Sequence, residues 1–318
     1  MGRVQCEILS RIDSVKLIAI ADRSAESLSK LPEALQQPHV KHYAECQDLL
    51  TNEQPDLVSV ATNTASHLAL GKLIAEAGIP RLIIEKPIGN NITQAIALND
   101  LCQSKGCQLV VNQSRRWSPD YASIKQYLSY GLLGELRHIS AILGEGGVAM
   151  IGVHFLDLMR YLMGQDVARV TGYLEKQTAS NKWGAEFYDP GGYGIIEFKN
   201  GGRGFIELST DLVKRERFLV LRCENGRIEI DERARRWTAV MPNSRRVDFQ
   251  FRQAVTPEAL FRKMIIETLK GEPSKCDGQQ GIAALEMVMA MHVSSQRGHI
   301  PIDLPLTPED AELRVNFP

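Results

Sequence analysis

Between residues 57 and 112 the chain sets three short apolar runs, LVSVA, RLII and QLVVN, either side of two stretches with helical periodicity. Runs with so little polar alternation fit strands covered on both faces. Helix-length crossovers between them impose parallel pairing, because a tight turn can join only antiparallel neighbours. Gly78 and Gly106 stand where helices commonly end on a left-handed residue. The same pattern extends upstream, with strands predicted at 16–21 and 40–43 and helices at 4–12, 25–35 and 46–52. The first third is therefore α/β, a parallel sheet with helices on both faces.

After Pro119 the pattern changes. Helices are predicted at 121–133 and 153–163, followed from 168 to about 251 by strand signals between glycine-rich turns. Asn200-Gly201-Gly202 and Asn225-Gly226 mark two hairpins. Helices at 257–270 and 278–294 precede a tail rich in Pro and acidic residues. The expected organisation is residues 1–117 as a dinucleotide-binding domain, 118–300 as an α+β domain with a mostly antiparallel sheet, and 301–318 as a tail.

Composition excludes several classes of partner. The 37 basic and 38 acidic residues nearly cancel, so neither nucleic acid nor a membrane surface is expected. No apolar run approaches the ~18 residues of a membrane span, and the first residues do not resemble a signal peptide. The six cysteines are scattered without metal-ligand spacing, so no metal is expected, and idle thiols in a reducing cytoplasm are the simpler reading.

Three places carry chemistry. Asp22 ends a predicted strand 20 residues after Gly2, about the distance between a dinucleotide-binding glycine turn and the carboxylate that holds the adenosine ribose. An Asp there favours NAD over NADP, although Arg23 beside it softens the preference. The competing reading makes Asp22 the N-cap of the next helix. Glu85 and Lys86 close an apolar strand at its C-terminal edge, where ligands of open α/β sheets bind. His154 and Asp157 interrupt an apolar helix three residues apart, on one face.

Together these segments resemble the Gfo/Idh/MocA family of oxidoreductases. The blocks that carry the resemblance are VSVATNTASHLALGKLIAEAGIPRLIIEKPIG, VVNQSRRWSPDYASIKQYLSYGLLGEL, GVHFLDLMRYLMG and ALEMVMAMHVSSQRGHIPIDLP, in the family's order and spacing. The resemblance implies a Rossmann-type domain and NAD(P)-dependent oxidation or reduction at a hydroxyl or carbonyl carbon of a sugar, cyclitol or nucleotide-sugar. It implies that Lys86 stabilises charge on the reacting oxygen and that His154 exchanges the hydroxyl proton. Gly2, Asp22, Arg23, Thr62, Thr64, His67, Glu85 and Lys86 match positions beside the cofactor. Arg116 and Trp117 are candidate substrate residues, with Lys86 and His154. The family's C-terminal sheet commonly forms oligomer interfaces, which implies a homodimer or homotetramer.

Two departures qualify the match. Where the family usually has Asp, four residues before the catalytic His, this chain has Met150, so Asp157 or Glu145 is expected to replace that carboxylate. The usual first strand and most of the glycine turn have no counterpart, which predicts an empty slot in the sheet between 16–21 and 57–61. The alternatives are a non-catalytic nucleotide- or sugar-binding relative, and a reductase of a non-sugar substrate such as biliverdin.

Overall fold

The structure, a computed structural model, describes residues 1–176, 184–209, 215–253 and 255–318. The first helix, α1 (Gly2–Leu9), buries Ile8 and Leu9 and leads to β1 (Ala19–Ala21). Then follow α2 (Ala25–Ser29), β2 (Lys41–Tyr43), α3 (Cys46–Asn52), β3 (Val58–Val60), α4 (His67–Glu76), β4 (Arg81–Ile84), α5 (Ile92–Ser104) and β5 (Gln108–Val111). The helix predicted over 25–35 stops early: Leu31-Pro32 interrupts it, and only a short 3-10 turn, Glu33–Leu35, resumes beyond.

These strands form two parallel sheets. β1 pairs with β2, and β3, β4 and β5 make the second sheet; among the described residues no ladder joins β1 to β3. The predicted slot is where the sheet divides. Side chains from α1 reach the neighbouring edge, with Ser59 of β3 donating to Gln5 Oε1 at 2.8 Å and Gln5 Nε2 donating to Glu85.

A third sheet has nine strands. A 3-10 turn, Ser114–Trp117, and α6 (Pro119–Ser129) lead to β6 (Leu136–Glu145). A π-helical turn, Val148–Gly152, then enters α7 (Val153–Met163). The remaining strands are β7 (Val167–Leu174), β8 (Gly192–Phe198), β9 (Arg203–Ser209), β10 (Arg215–Cys223), β11 (Arg227–Asp231), β12 (Arg236–Val240), β13 (Arg246–Gln250) and β14 (Ile302–Asp303). Their order is β13-β12-β11-β10-β6-β9-β8-β7-β14, and every pair is antiparallel except β6 with β9. On β8, burial alternates strictly: Gly194, Ile196 and Phe198 face the core, while Tyr193 and Ile195 are exposed.

The inner face packs on α7 and α9 (Gly278–Gln296), and glycines set the distance. A Cβ on Gly172 would stand 2.5 Å from the Met291 carbonyl oxygen of α9, and one on Gly281 would stand 2.6 Å from Val111 Cγ2 of β5. Thus α9 touches the nine-stranded sheet and the sheet of β3, β4 and β5. Helix α8 (Pro257–Leu269) packs on α1, where Arg262 donates to the Arg11 carbonyl. The tail is built in: β14 pairs with β7, Val315 and Phe317 are buried, and Val315 N–H donates to Asn90 O at 3.1 Å.

Candidate active site

Strand β4 delivers Lys86 to the C-terminal edge of the parallel sheet, opposite the π-helical turn that enters α7. Its Nζ donates to the Met150 carbonyl at 2.8 Å and lies 3.6 Å from the Met150 sulfur. Burial pushes the ammonium's pKa down, while Glu85 and Asp189 oppose that shift. One ammonium donor is committed to Met150, leaving others for a substrate oxygen.

His154 sits on the first turn of α7, partly buried, with Nδ1 enclosed and without a hydrogen-bond partner. Its pKa is held well below the ordinary imidazole value by burial and then by the charges of Lys86, Arg115 and Arg217. The ring is therefore neutral at neutral pH. The Lys86 charge is thus near enough to act on the His154 ring.

Asp157 does not join them. It turns inward and holds Arg116 through two hydrogen bonds of 2.8 Å, with side-chain exposures of 0% and 7%. Arg116 also donates to Lys275 O at 3.2 Å and Gln280 Oε1 at 3.0 Å, so its guanidinium is spent on structure. Trp117 is a core residue, 2% exposed. These three positions are corrections: three helical residues still leave about 60° between His154 and Asp157, enough to send one to the site and the other to the interior.

The guanidinium that does approach the site is Arg115, which the sequence reading passed over. It lies 4.0 Å over the Phe155 ring and is gripped by Glu232 through two bonds of 2.8 Å, with the Tyr121 hydroxyl on the same carboxylate. Asp189 was also missed. Its carboxylate accepts from the Ala149 and Met150 amides at 2.7 and 3.1 Å. A Tyr-Asp-Pro-Gly-Gly turn signal was the only local hint.

The candidate cofactor residues divide into two groups. Asp22 is exposed at the end of β1; one oxygen accepts from Ser24 N–H at 2.8 Å, and Ser24 itself caps α2. The N-cap reading of Asp22 is thereby replaced by a short Asx turn that leaves the second oxygen outward. Arg23 is exposed and pairs with Glu45 at 3.3 Å. Thr62 is exposed just after β3 and accepts from the Ser66 hydroxyl. Gly2 faces Ala61, and an added Cβ would make an ordinary 3.7 Å contact there, so nothing steric demands glycine.

The others lie inside. Glu85 accepts from Gln5 and from Asn112 Nδ2, and burial pushes its pKa up. Thr64 is buried with its hydroxyl on the Pro318 carbonyl at 3.1 Å. His67 is fully buried, with Nδ1 3.0 Å from Pro87 O and Nε2 3.4 Å from Thr62 O, so it clamps the loop after β3 to the Lys86-Pro87 segment. A nicotinamide dinucleotide fits the exposed group: Asp22 and Thr62 offer polar atoms at the C-terminal ends of two parallel strands. Thr64 and His67 fit only as supports of that edge.

Burial lowers the pKa of His67, and of His292 in α9, to about 4. Unfolded imidazoles bind protons near pH 6.5, so above that pH neither residue makes stability depend on pH. As pH falls from 6.5 towards 4 the unfolded state takes up more protons and stability drops. The two together are expected to remove about 3–6 kcal/mol across that window. Urea unfolding from pH 7 to 4 checks this; a flat profile contradicts it, and replacing His292 by Gln should make the slope shallower.

Comparison with known proteins agrees with this architecture. The family model described as "Oxidoreductase family, NAD-binding Rossmann fold" matches residues 1–113, and the GFO/IDH/MocA C-terminal domain matches residues 135–229. Among curated proteins, D-apiose dehydrogenase of Paraburkholderia graminis is 29% identical over 175 residues, which is 50% of this chain and 46% of that protein. D-glucoside 3-dehydrogenase of Escherichia coli is 24% identical over 319 residues, covering 90% of each chain. The solved structure of levoglucosan dehydrogenase with NADH and levoglucosan superposes with a TM-score of 0.81 at 16% identity, covering 96% of this chain and 95% of that one, a likeness of fold. On the two matched domains, in order and in one fold, the chain belongs to the Gfo/Idh/MocA family of oxidoreductases.

Proposed function

We propose that this chain is an NAD(P)-dependent oxidoreductase that transfers hydride between a nicotinamide cofactor and a hydroxyl or carbonyl carbon of a sugar, cyclitol or nucleotide-sugar. The observation that carries the reading is Lys86 at the C-terminal edge of the parallel strands, held on the turn that enters α7 and near enough for its charge to depress His154. The cofactor supplies the hydride acceptor or donor. Lys86 donates a hydrogen bond to the substrate oxygen and stabilises negative charge as it develops there. His154 Nε2 takes the hydroxyl proton in the oxidative direction and returns it in the reductive one. Its depressed pKa suits the oxidative direction, because the base starts deprotonated.

The sugar-type substrate is supported by the names of the relatives, which include dehydrogenases of apiose, glucoside and myo-inositol. Assay of the protein with NAD and NADP against a panel of such sugars tests the reading; no turnover with either cofactor would sink it. A non-catalytic relative is favoured by one specific observation, the divided parallel sheet beside Asp22. That alternative gives NADH fluorescence quenching without turnover.

NAD is preferred, because the outward oxygen of Asp22 suits a ribose diol and repels a 2′-phosphate. Replacing Asp22 by Ala is expected to weaken NADH binding about 10-fold or more, with NADPH binding unchanged or stronger. Fluorescence titration measures both, and an unaltered NADH affinity would remove Asp22 from the site.

The outward face of the nine-stranded sheet supports a homodimer or homotetramer. Across β7, β8 and β9 it carries Tyr173 stacked on Tyr193 at 4.5 Å, with Ile195 exposed and Phe205 beside them. Among the described residues no helix is long and apolar enough to cross a membrane. The six cysteines are unbridged, which suits the cytoplasm.

A further inference from the structure

Four residues before His154 the chain offers a thioether, Met150, yet Lys86 still meets a carboxylate from elsewhere in the sequence. Asp189 follows β7 by fifteen residues and is 9% exposed. Its two oxygens accept from consecutive amides of the π-helical turn, Ala149 and Met150, and the next residue's carbonyl, Pro190 O, accepts from Val148 N–H at 2.9 Å. The carbonyl of the same Met150 receives the Lys86 ammonium. Gly147 makes this possible: a Cβ there would lie 2.1 Å from Asp189 Cγ and Oδ2, so any side chain would expel the carboxylate.

We propose that Asp189 is the positioning carboxylate of Lys86, acting through the Ala149–Met150 turn and standing in for an acidic side chain at Met150. This rests on the reading of Lys86 as the residue that holds the substrate oxygen. An apolar turn presented to a buried ammonium gives it one carbonyl; a carboxylate behind that turn fixes the carbonyl's direction and adds favourable charge. Glu85, Arg115 and His154 also face Lys86, and Glu85 is already engaged by Gln5 and Asn112.

The test uses the full chain with Asp189→Asn, alone and with Met150→Asp. Asn keeps the shape but can accept at only one of the two atoms, and it carries no charge. Turnover is expected to fall about 100-fold with NADH affinity unchanged, and Met150→Asp in that background is expected to restore at least tenfold of it. A cap that merely held the turn would not be rescued by a carboxylate placed on the Lys86 side. The second readout needs no substrate: reductive methylation of Lys86 by formaldehyde at pH 8, followed by mass spectrometry. Loss of the Asp189 charge leaves more free amine, so labelling should quicken about tenfold. Gly147→Ala, which displaces the same carboxylate, should label likewise and replaces Asp189→Asn if that variant does not fold. Wild-type turnover together with unchanged labelling would overturn the role of Asp189. Altered labelling in a protein that turns over no sugar would instead leave Asp189 in place and remove the proposed reaction.

Discussion

Replacing Lys86 by Met is expected to lower kcat about 10²–10³-fold while leaving NADH affinity close to that of the parent protein. The side chain is 7% exposed, and Met matches its length and tolerates burial, so the variant keeps the packing and loses the charge. On the proposed role, what disappears is a donor to the oxygen on which negative charge develops, in a buried setting where such a donor counts most. The change also removes a cation that depresses His154, so the imidazole's pKa should rise and the oxidative rate should fall at lower pH. Steady-state kinetics across pH 6–9, with NADH fluorescence titration alongside, measure both. Unchanged kcat with a responsive substrate would show that Lys86 is structural.

Arg116→Ala or Asp157→Ala is expected to cost about 3–5 kcal/mol of folding stability, the largest effect on stability foreseen. Each leaves an enclosed charge facing a vacated partner, because the pair is bidentate and both ends are shielded from water. The guanidinium also ties the 3-10 turn Ser114–Trp117 to the start of α9 through Lys275 and Gln280, so its loss loosens two elements at once. The double replacement Arg116→Met with Asp157→Leu should recover most of the loss, because no unpaired charge remains. Urea unfolding reads all three variants. A single variant as stable as the parent would show that water reaches the pair.

Element positions were legible where the signal is local. Burial on both faces writes β4 as an uninterrupted apolar run, and helical periodicity writes α3 and α7; their observed bounds, Arg81–Ile84, Cys46–Asn52 and Val153–Met163, are those the pattern predicts. The division between 16–21 and 57–61 was legible for the same reason: among the described residues β1 and β3 share no ladder. The choice of partner was not legible. Nothing in RRW says that Arg115 goes to Glu232 over the site while Arg116 goes to Asp157 in the core, since 117 and 41 residues separate each pair. Asp189 hid for that reason too, its meaning supplied by Gly147 and the two amides that it meets only after folding. The tail carried no sign of its partners either, yet Phe317 is enclosed and Ile302 completes a ladder.

The division of the parallel sheet bears on how tightly a dinucleotide can be held. Asp22 follows a ribbon of two strands, three residues each, joined among the described residues by no ladder to the other parallel strands. So small a ribbon is marginal by itself, and it holds its place through the packing of α3 and the side chains around it. Such a unit opens at lower free energy than the rest of the molecule. If Asp22 holds the cofactor as proposed, binding must quiet the ribbon, and affinity reports the contact less the cost of that ordering. Mutations that stiffen the ribbon without touching Asp22 thus act on binding from outside the site.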